Sequence, residues 1–373
     1  MLVKPKAGQA ARIKVLGVGG GGGNAINTIL NDGGIAGVEF ISVNTDAQAL
    51  LKNKADVKIQ IGENFTKGLG SGGDPEIGRQ AAEESKDKIK EEIEGADMVF
   101  ISCGEGGGTG TGASPIIAQL AQELGILTVA VVTKPFDFEG TKRKLTAEEG
   151  IEKLKEFVDT LIVVPNQKIL QVIDKNVSVI EAFKKIDSVL HQAIKSIAEL
   201  IVTPGLINVD FADVKSIMTK AGNALLAIGT ASGEKRALTA IKQAISSPLI
   251  DSSIEGAKGI LFNVVGGTDL TMAEVDEAAS IIAKTVDPNA DIIFGAVIDE
   301  QLVDQIKITI IATKFAEKRP LFRQISKEKT TLKSKLEQST EDEKKDRSID
   351  FNLEEEFFDE ESEFDIPTFL RKK

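Results

Sequence analysis

The chain has 373 residues, 42% of them hydrophobic, with one cysteine, one histidine and a net charge of −12, long enough for two globular domains and a tail. A lone Cys103 excludes an internal disulfide and fits a reducing cytoplasm, a lone His191 argues against a histidine-built metal site, and no apolar run approaches the ~20 residues of a membrane span. Residues 1–315 carry a net −9 and the chain has no Trp or Tyr, which disfavours both the phosphate backbone and the stacked bases of nucleic acids.

In chain order, Arg12–Val18 reads as a strand, Gly19–Gly23 as a glycine loop and Asn24 to about Leu30 as a helix. Gly17, Gly19 and Gly22 satisfy G-x-G-x-x-G, a weak dinucleotide fingerprint when alone. A second strand, 38–43, runs into Asp46, where a dinucleotide fold would place a ribose-binding carboxylate. A nucleotide-dependent oxidoreductase therefore remains open at this point. Asn53-Lys54-Ala55-Asp56 matches the guanine motif of P-loop GTPases, but no G-x-x-x-x-G-K-[S/T] accompanies it, so it reads as a turn before a strand at 57–60. A second glycine loop, Gly68–Pro75, leads into a helix expected from Pro75 to about Glu94.

Strand 96–103 then opens into Gly104, Gly106, Gly107, Gly108, Gly110 and Gly112, with Thr109 and Thr111 among them and a helical pattern after them. Glycines free the backbone to wrap N–H groups around an anion, the hydroxyls add donors, and the helix adds its positive end. The stretch reads as a phosphate cradle. Strands at 126–133 and 159–164 follow, with a helix carrying Arg143 between them. Strands alternating with helices predict a doubly wound parallel sheet, with the glycine loops at the C-terminal ends of strands.

A long helix spans 178–202, with Val179, Phe183, Ile186, Leu190, Ile194, Ile197 and Ile201 on one face. Asn208–Val214 opens another helix. Strands near 223–230, 259–265, 291–298 and 303–313, with helices near 234–246 and 271–285, read as a second, smaller α/β domain. Residues 316–363 lose periodicity and read as disordered, +4 over 316–340 and −10 over 341–365. The end recovers apolar residues.

Gly106–Gly112, taken with Gly17–Ala25 ahead and Asn208–Val214 behind, resembles the FtsZ family, the bacterial cell-division homologues of tubulin. The resemblance covers about 11–315, and the last residues resemble the family's C-terminal peptide. It implies a flexible N-terminus at 1–11, a Rossmann-like GTP-binding domain at 12–177, a central helix at 178–202 and a C-terminal activating domain at 203–315. A disordered linker at 316–363 and a partner-binding peptide at 364–373 complete the organisation. It also implies GTP/GDP binding with Mg²⁺, GTP hydrolysis, head-to-tail homopolymers and a cytoplasmic place at the division site beneath the inner membrane, with no direct membrane insertion and no nucleic-acid partner. The peptide, through Asp365, Ile366, Pro367, Phe369, Leu370 and Arg371, would bind membrane-adaptor division proteins.

Residue by residue, the resemblance places Gly20, Gly21, Gly22, Asn24, Gly104, Gly106, Gly107, Gly108, Thr109 and Gly110 on the phosphates, Ser71 and Gly72 near the γ-phosphate, and Thr133, Glu139 and Arg143 on ribose and phosphate. Asn166, Phe183 and Asp187 fall on guanine. From the residues alone, Phe183 reads as core and Asp187 as an ordinary helix charge. The resemblance makes Asn208, Asp210 and Asp213 catalytic. They lie roughly 30 Å from the guanine pair if the helix is straight, so a neighbouring subunit would supply them. Their local reading is a helix cap. Glu105 departs from the family's usual apolar residue and is expected to point away from the phosphates. A non-hydrolysing GTP-binding filament protein also stays open.

Overall fold

The computed structural model describes residues 11–171, 177–203, 205–207, 209–247, 253–300 and 302–315, all within one compact unit. Asn208, the linker at 316–363 and the peptide at 364–373 lie outside the described residues. Strands are β1 Ile13–Val18, β2 Val38–Asn44, β3 Val57–Gln60, β4 Met98–Gly104, β5 Leu127–Lys134, β6 Thr160–Pro165, β7 Gly222–Ser232, β8 Gly259–Gly266, β9 Asp291–Ile298 and β10 Gln305–Thr313. Helices are α1 Gly19–Asn31, α2 Ala47–Lys52, α3 Glu63–Thr66, α4 Pro75–Glu84, α5 Lys86–Ile93, α6 Thr109–Glu123, α7 Thr141–Lys155, α8 Asn166–Ile169, α9 Val179–Val202, α10 Phe211–Met218, α11 Arg236–Ile245 and α12 Met272–Thr285.

The sheet runs β3-β2-β1-β4-β5-β6-β7-β10-β8-β9. The first six strands are parallel, and their continuous apolar runs suit burial on both faces. One face packs on α1, α9 and α10 around Phe40, Phe100, Leu190, Ile194 and Ile197. The other packs on α4, α5, α6 and α7 around Leu16, Ile41, Ile101 and Ile117. β6 pairs parallel with β7 through Thr160↔Gly222, which joins the second group of strands to the first. There β10 lies antiparallel to β7 and β8, over a separate core with α11 and α12.

Four elements differ from the sequence reading. The helix expected over 75–94 breaks at Ser85 (φ −107°, ψ 15°), whose buried hydroxyl accepts the Gly62 N–H at 3.1 Å. The glycine run after β1 is helical from Gly19, and the third glycine segment is helical from Thr109, so both cradles are helix N-termini rather than long loops. On α9, Ser178 and Glu181 form a capping box, yet Val179 and Phe183 stay exposed at 68% and 43%. The expected apolar face becomes core only from Ile186 onward.

Candidate functional site

Within the order 3-2-1-4-5-6 the chain reverses direction across the sheet between β1 and β4, the place where such sheets hold ligands outside their C-terminal strand ends. α1 leaves β1 there and α6 follows β4. The three glycine segments meet at this point. A Cβ on Gly19 would lie 2.9 Å from the Gly110 N, one on Gly21 3.0 Å from the Gly104 N, and one on Gly108 2.2 Å from the Ser71 Oγ.

Most of the glycines expected on phosphate fall into two groups. Gly20, Gly72 and Gly107 face open space, with nothing within 4 Å of an added Cβ. Gly22, Gly106, Gly108 and Gly110 are close-packed instead. A Cβ on Gly22 would meet the Ser102 O at 2.1 Å, one on Gly106 the Arg143 O at 2.7 Å and one on Gly110 the Gly104 O at 2.8 Å. Their missing side chains let backbone approach backbone. Asn24 is exposed on α1.

Beneath these segments runs a chain of hydroxyls. Thr109 Oγ1 bonds Thr45 Oγ1 at 2.7 Å and Ser71 Oγ at 3.0 Å, and all three residues are buried. Thr111, expected as an anion donor, instead accepts the Gly106 N–H at 2.9 Å and closes the loop on itself. Glu105 points away from the open glycines. Its N–H donates to the Thr133 O at 2.9 Å, and its Oε1 accepts from the Cys103 thiol at 3.2 Å. Its Oε2 lies where a Cβ on Gly150 of α7 would be 2.5 Å away and has no hydrogen-bond partner. Burial pushes the carboxyl up to about 7.

Two decoys resolve structurally. The Asp46 carboxylate caps α2, accepting from the Gln48 N–H at 2.8 Å and the Ala49 N–H at 3.1 Å. Asn53 donates to the Gly23 O at 2.8 Å and accepts from the Ala55 N–H at 2.8 Å, so the N-K-x-D match is a turn anchored by a buried Asn53, with Lys54 and Asp56 exposed.

Further along the same strand ends, Thr133 lies near the end of β5 and pairs in register with Gly104. Glu139 and Arg143, both expected on the nucleotide, bond each other, and Glu139 also accepts the Phe136 N–H at 2.9 Å. Phe136 is 1% exposed, stacks on Phe138 with ring centroids 4.8 Å apart and meets Phe183 edge-on at 5.6 Å. Phe183 is therefore a half-open aromatic face rather than core. Asn166 starts α8, which packs on α9; it is buried, and its Oδ1 has no hydrogen-bond partner. Asp187 lies one turn beyond Phe183, with its carboxyl raised to about 6 by burial. Phe136, Phe138 and Thr45 belong to this arrangement and escaped the sequence reading. The two phenylalanines flanking Asp137 just past a strand end were the available signal.

Asp210 and Asp213 are exposed at the start of α10. Asp210 Oδ1 accepts the Asp213 N–H at 2.8 Å, the local capping role, while the Asp213 carboxylate makes no hydrogen bond or ion pair among the described residues. The preceding segment is tied to the second group of strands by the Ile207↔Ala296 bridge, beyond the far end of α9. The structure thus gathers the glycine segments at one end of the sheet and leaves the acids elsewhere.

Residues 12–174 match the Tubulin/FtsZ family GTPase domain, and residues 222–316 match the FtsZ family C-terminal domain. Among solved structures, an empty FtsZ dimer from M. jannaschii is 48% identical, with a TM-score of 0.78 over 81% of this chain and 88% of that one. A tryptophan-to-tyrosine mutant of M. jannaschii FtsZ is 49% identical, with a TM-score of 0.79 over 82% and 91%. CetZ2 from Haloferax volcanii, a GTPγS-bound protofilament, shares the fold at 20% identity and a TM-score of 0.69 over 87% and 99%. No oxidoreductase reading survives these matches and the capping role of Asp46. With both domains matched in sequence order and about half of its residues shared with FtsZ across four-fifths of its length, the chain belongs to the tubulin/FtsZ family and is a GTPase of the FtsZ type.

Proposed function

We propose that the chain polymerises head to tail with bound GTP and hydrolyses it between subunits, as a cytoplasmic filament of the cell-division ring beneath the inner membrane. The carrying observation is the separation of parts. The open glycines lie at one end of the sheet, and the exposed Asp210 and Asp213 lie past the far end of the 24-residue α9, roughly 30 Å from its base-binding end. One copy does not place these acids over its own phosphates, whereas the next copy in a heterologous contact does. The M. jannaschii dimer and the CetZ2 protofilament support assembly of this kind.

Within that reading, residues 12–177 bind the nucleotide, 178–202 form the spacer helix and 203–315 carry the activating acids. Gly20, Gly72 and Gly107 offer open backbone to phosphate. Phe183 covers the base, while the unpartnered Asn166 Oδ1 and the ionised Asp187 accept hydrogen bonds from the N1 and N2 edge of guanine, which adenine lacks. Arg143 leaves Glu139 to meet phosphate oxygens. Mg²⁺ would sit on the phosphates themselves, beside the neutral hydroxyls of Ser71 and Thr109, and would offset phosphate charge. The neighbour's Asn208, Asp210 and Asp213 orient a water for in-line attack, with the unengaged Asp213 carboxylate closest to this role. The linker at 316–363 tethers a peptide whose Asp365, Ile366, Pro367, Phe369, Leu370 and Arg371 dock on a membrane adaptor.

Asp213→Ala tests the shared site. GTP binding should persist at wild-type affinity while turnover falls by about two orders of magnitude or more. Wild-type turnover would refute hydrolysis by the neighbour's acids and favour a filament that holds GTP without using them.

A further inference from the structure

Thr109 is the middle of a three-membered hydroxyl chain that joins segments 64 and 38 residues apart. Its Oγ1 lies 2.7 Å from Thr45 Oγ1, just past β2, and 3.0 Å from Ser71 Oγ, past α3. None of the three hydroxyls has a further hydrogen-bond partner among the described residues. Two contacts use two of the three hydroxyl hydrogens, so one is left over. Thr45 is 0% exposed, against 7% for Ser71 and 8% for Thr109. A hydrogen left on Thr45 would be a buried donor without an acceptor, which is costly. Thr45 therefore donates to Thr109. With Thr109 donating in turn to Ser71, the chain runs head to tail, each bond strengthens the next, and the surplus hydrogen leaves at Ser71.

Ser71 is held for that role. Gly108 lacks the Cβ that would lie 2.2 Å from Ser71 Oγ, and the Ser71 O accepts the Asp74 N–H at 3.0 Å. Gly72, next to Ser71, and Gly107, next to Gly108, both face open space. The backbone O of Thr45 accepts from the Gly70 N–H at 3.3 Å and from Thr66 Oγ1 at 3.3 Å. Thr45 is thus fixed against the Ser71 segment without using its own hydroxyl.

We propose that Thr45 is a positioning residue for GTP, acting through Thr109 to make the Ser71 hydroxyl a donor aimed at the terminal phosphate. The inference rests on the reading that places Ser71 beside the γ-phosphate. Thr45 itself is enclosed and does not reach the nucleotide. A hydroxyl donating to a charged phosphate oxygen makes one of the stronger hydrogen bonds, and GDP offers no such oxygen there. The chain therefore favours the triphosphate by the direction of a hydrogen, without adding charge to the site.

The test is equilibrium binding of GDP and of guanosine 5′-(β,γ-imido)triphosphate to the full-length protein, too dilute to assemble. Ser71→Ala should weaken the triphosphate analogue by about tenfold and leave GDP unchanged. Thr45→Val, which keeps the shape and drops the hydroxyl, should weaken the analogue by about threefold, again sparing GDP. Added to Ser71→Ala it should cost nothing further, and Thr45→Ser, which keeps the hydroxyl, should bind as wild type. Equal loss of both nucleotides in Thr45→Val, wild-type binding by it, failure of Thr45→Ser to bind as wild type, or a further loss in the double variant would each overturn the relay while leaving the γ-phosphate reading standing. Unchanged binding of the analogue by Ser71→Ala would overturn that reading, and the relay with it.

Discussion

Replacing Glu105 by methionine removes a carboxyl from the packed underside of the third glycine segment while keeping a side chain of similar length. The wild-type residue is 4% exposed, hydrogen-bonded to the Cys103 thiol, and its carboxyl is raised by burial from its ordinary 4.5 to about 7. An acid raised on folding binds more protons in the folded than in the unfolded state, so its contribution to stability is greatest below pH 4.5 and is lost as pH climbs through 7. Between pH 5 and pH 8 this loss amounts to about 2–3 kcal/mol in the wild type, from the linkage of the two values. The methionine variant lacks the loss, so its stability relative to wild type should rise by that amount over the same interval. Urea denaturation of both proteins, saturated with GDP, at the two pH values gives the difference. Comparing the differences cancels every other titrating group and any constant packing effect of the substitution. Because the carboxylate faces Gly150 rather than the open glycines, GTP affinity at pH 8 should change less than about threefold. A stability difference independent of pH, or a large gain in GTP affinity, would refute the burial argument.

The two kinds of glycine should respond in opposite ways. Gly22→Ala, whose Cβ would lie 2.1 Å from a backbone oxygen, should cost about 2–3 kcal/mol of stability or more in denaturation, whereas Gly107→Ala should leave the melting temperature near wild type and weaken GTP binding. Asp187, raised to about 6, accepts from guanine as a carboxylate, so GDP affinity should fall as pH drops below about 6, at most about tenfold per pH unit; titrations at pH 5 and 7.5 check this, and Asp187→Asn should flatten the dependence while weakening binding at pH 7.5. Removal of residues 364–373 should abolish retention of a membrane adaptor in a pulldown yet leave GTP turnover intact.

Much of the scaffold was legible because its signals are local. The apolar runs of β1, β4, β5 and β6, the periodic apolar face of α9, and proline at the start of α4 each state their own conformation. The break at Ser85 was not legible, since the partner that draws its hydroxyl out, the Gly62 N–H, comes from another segment. Likewise Phe183 reads as core by spacing, and only the end of the sheet and the position of Phe136 leave its face open. The glycines show the same limit: the sequence marks where side chains are missing without saying whether a backbone or a ligand occupies the space.

The sequence by itself determined the order of strands and helices, the three glycine segments at strand ends, the acidic helix start at Asp210 and the family resemblance. These follow from periodicity, capping chemistry and motif spacing, which are properties of neighbours along the chain. Tertiary structure alone decided which glycines face open space, that Thr111 and Asp46 serve the fold, that Glu105 is buried away from the open glycines, and that Thr45, Thr109 and Ser71 share one hydroxyl chain. These depend on the strand order, which sets segments remote in sequence against one another and so decides what each side chain meets.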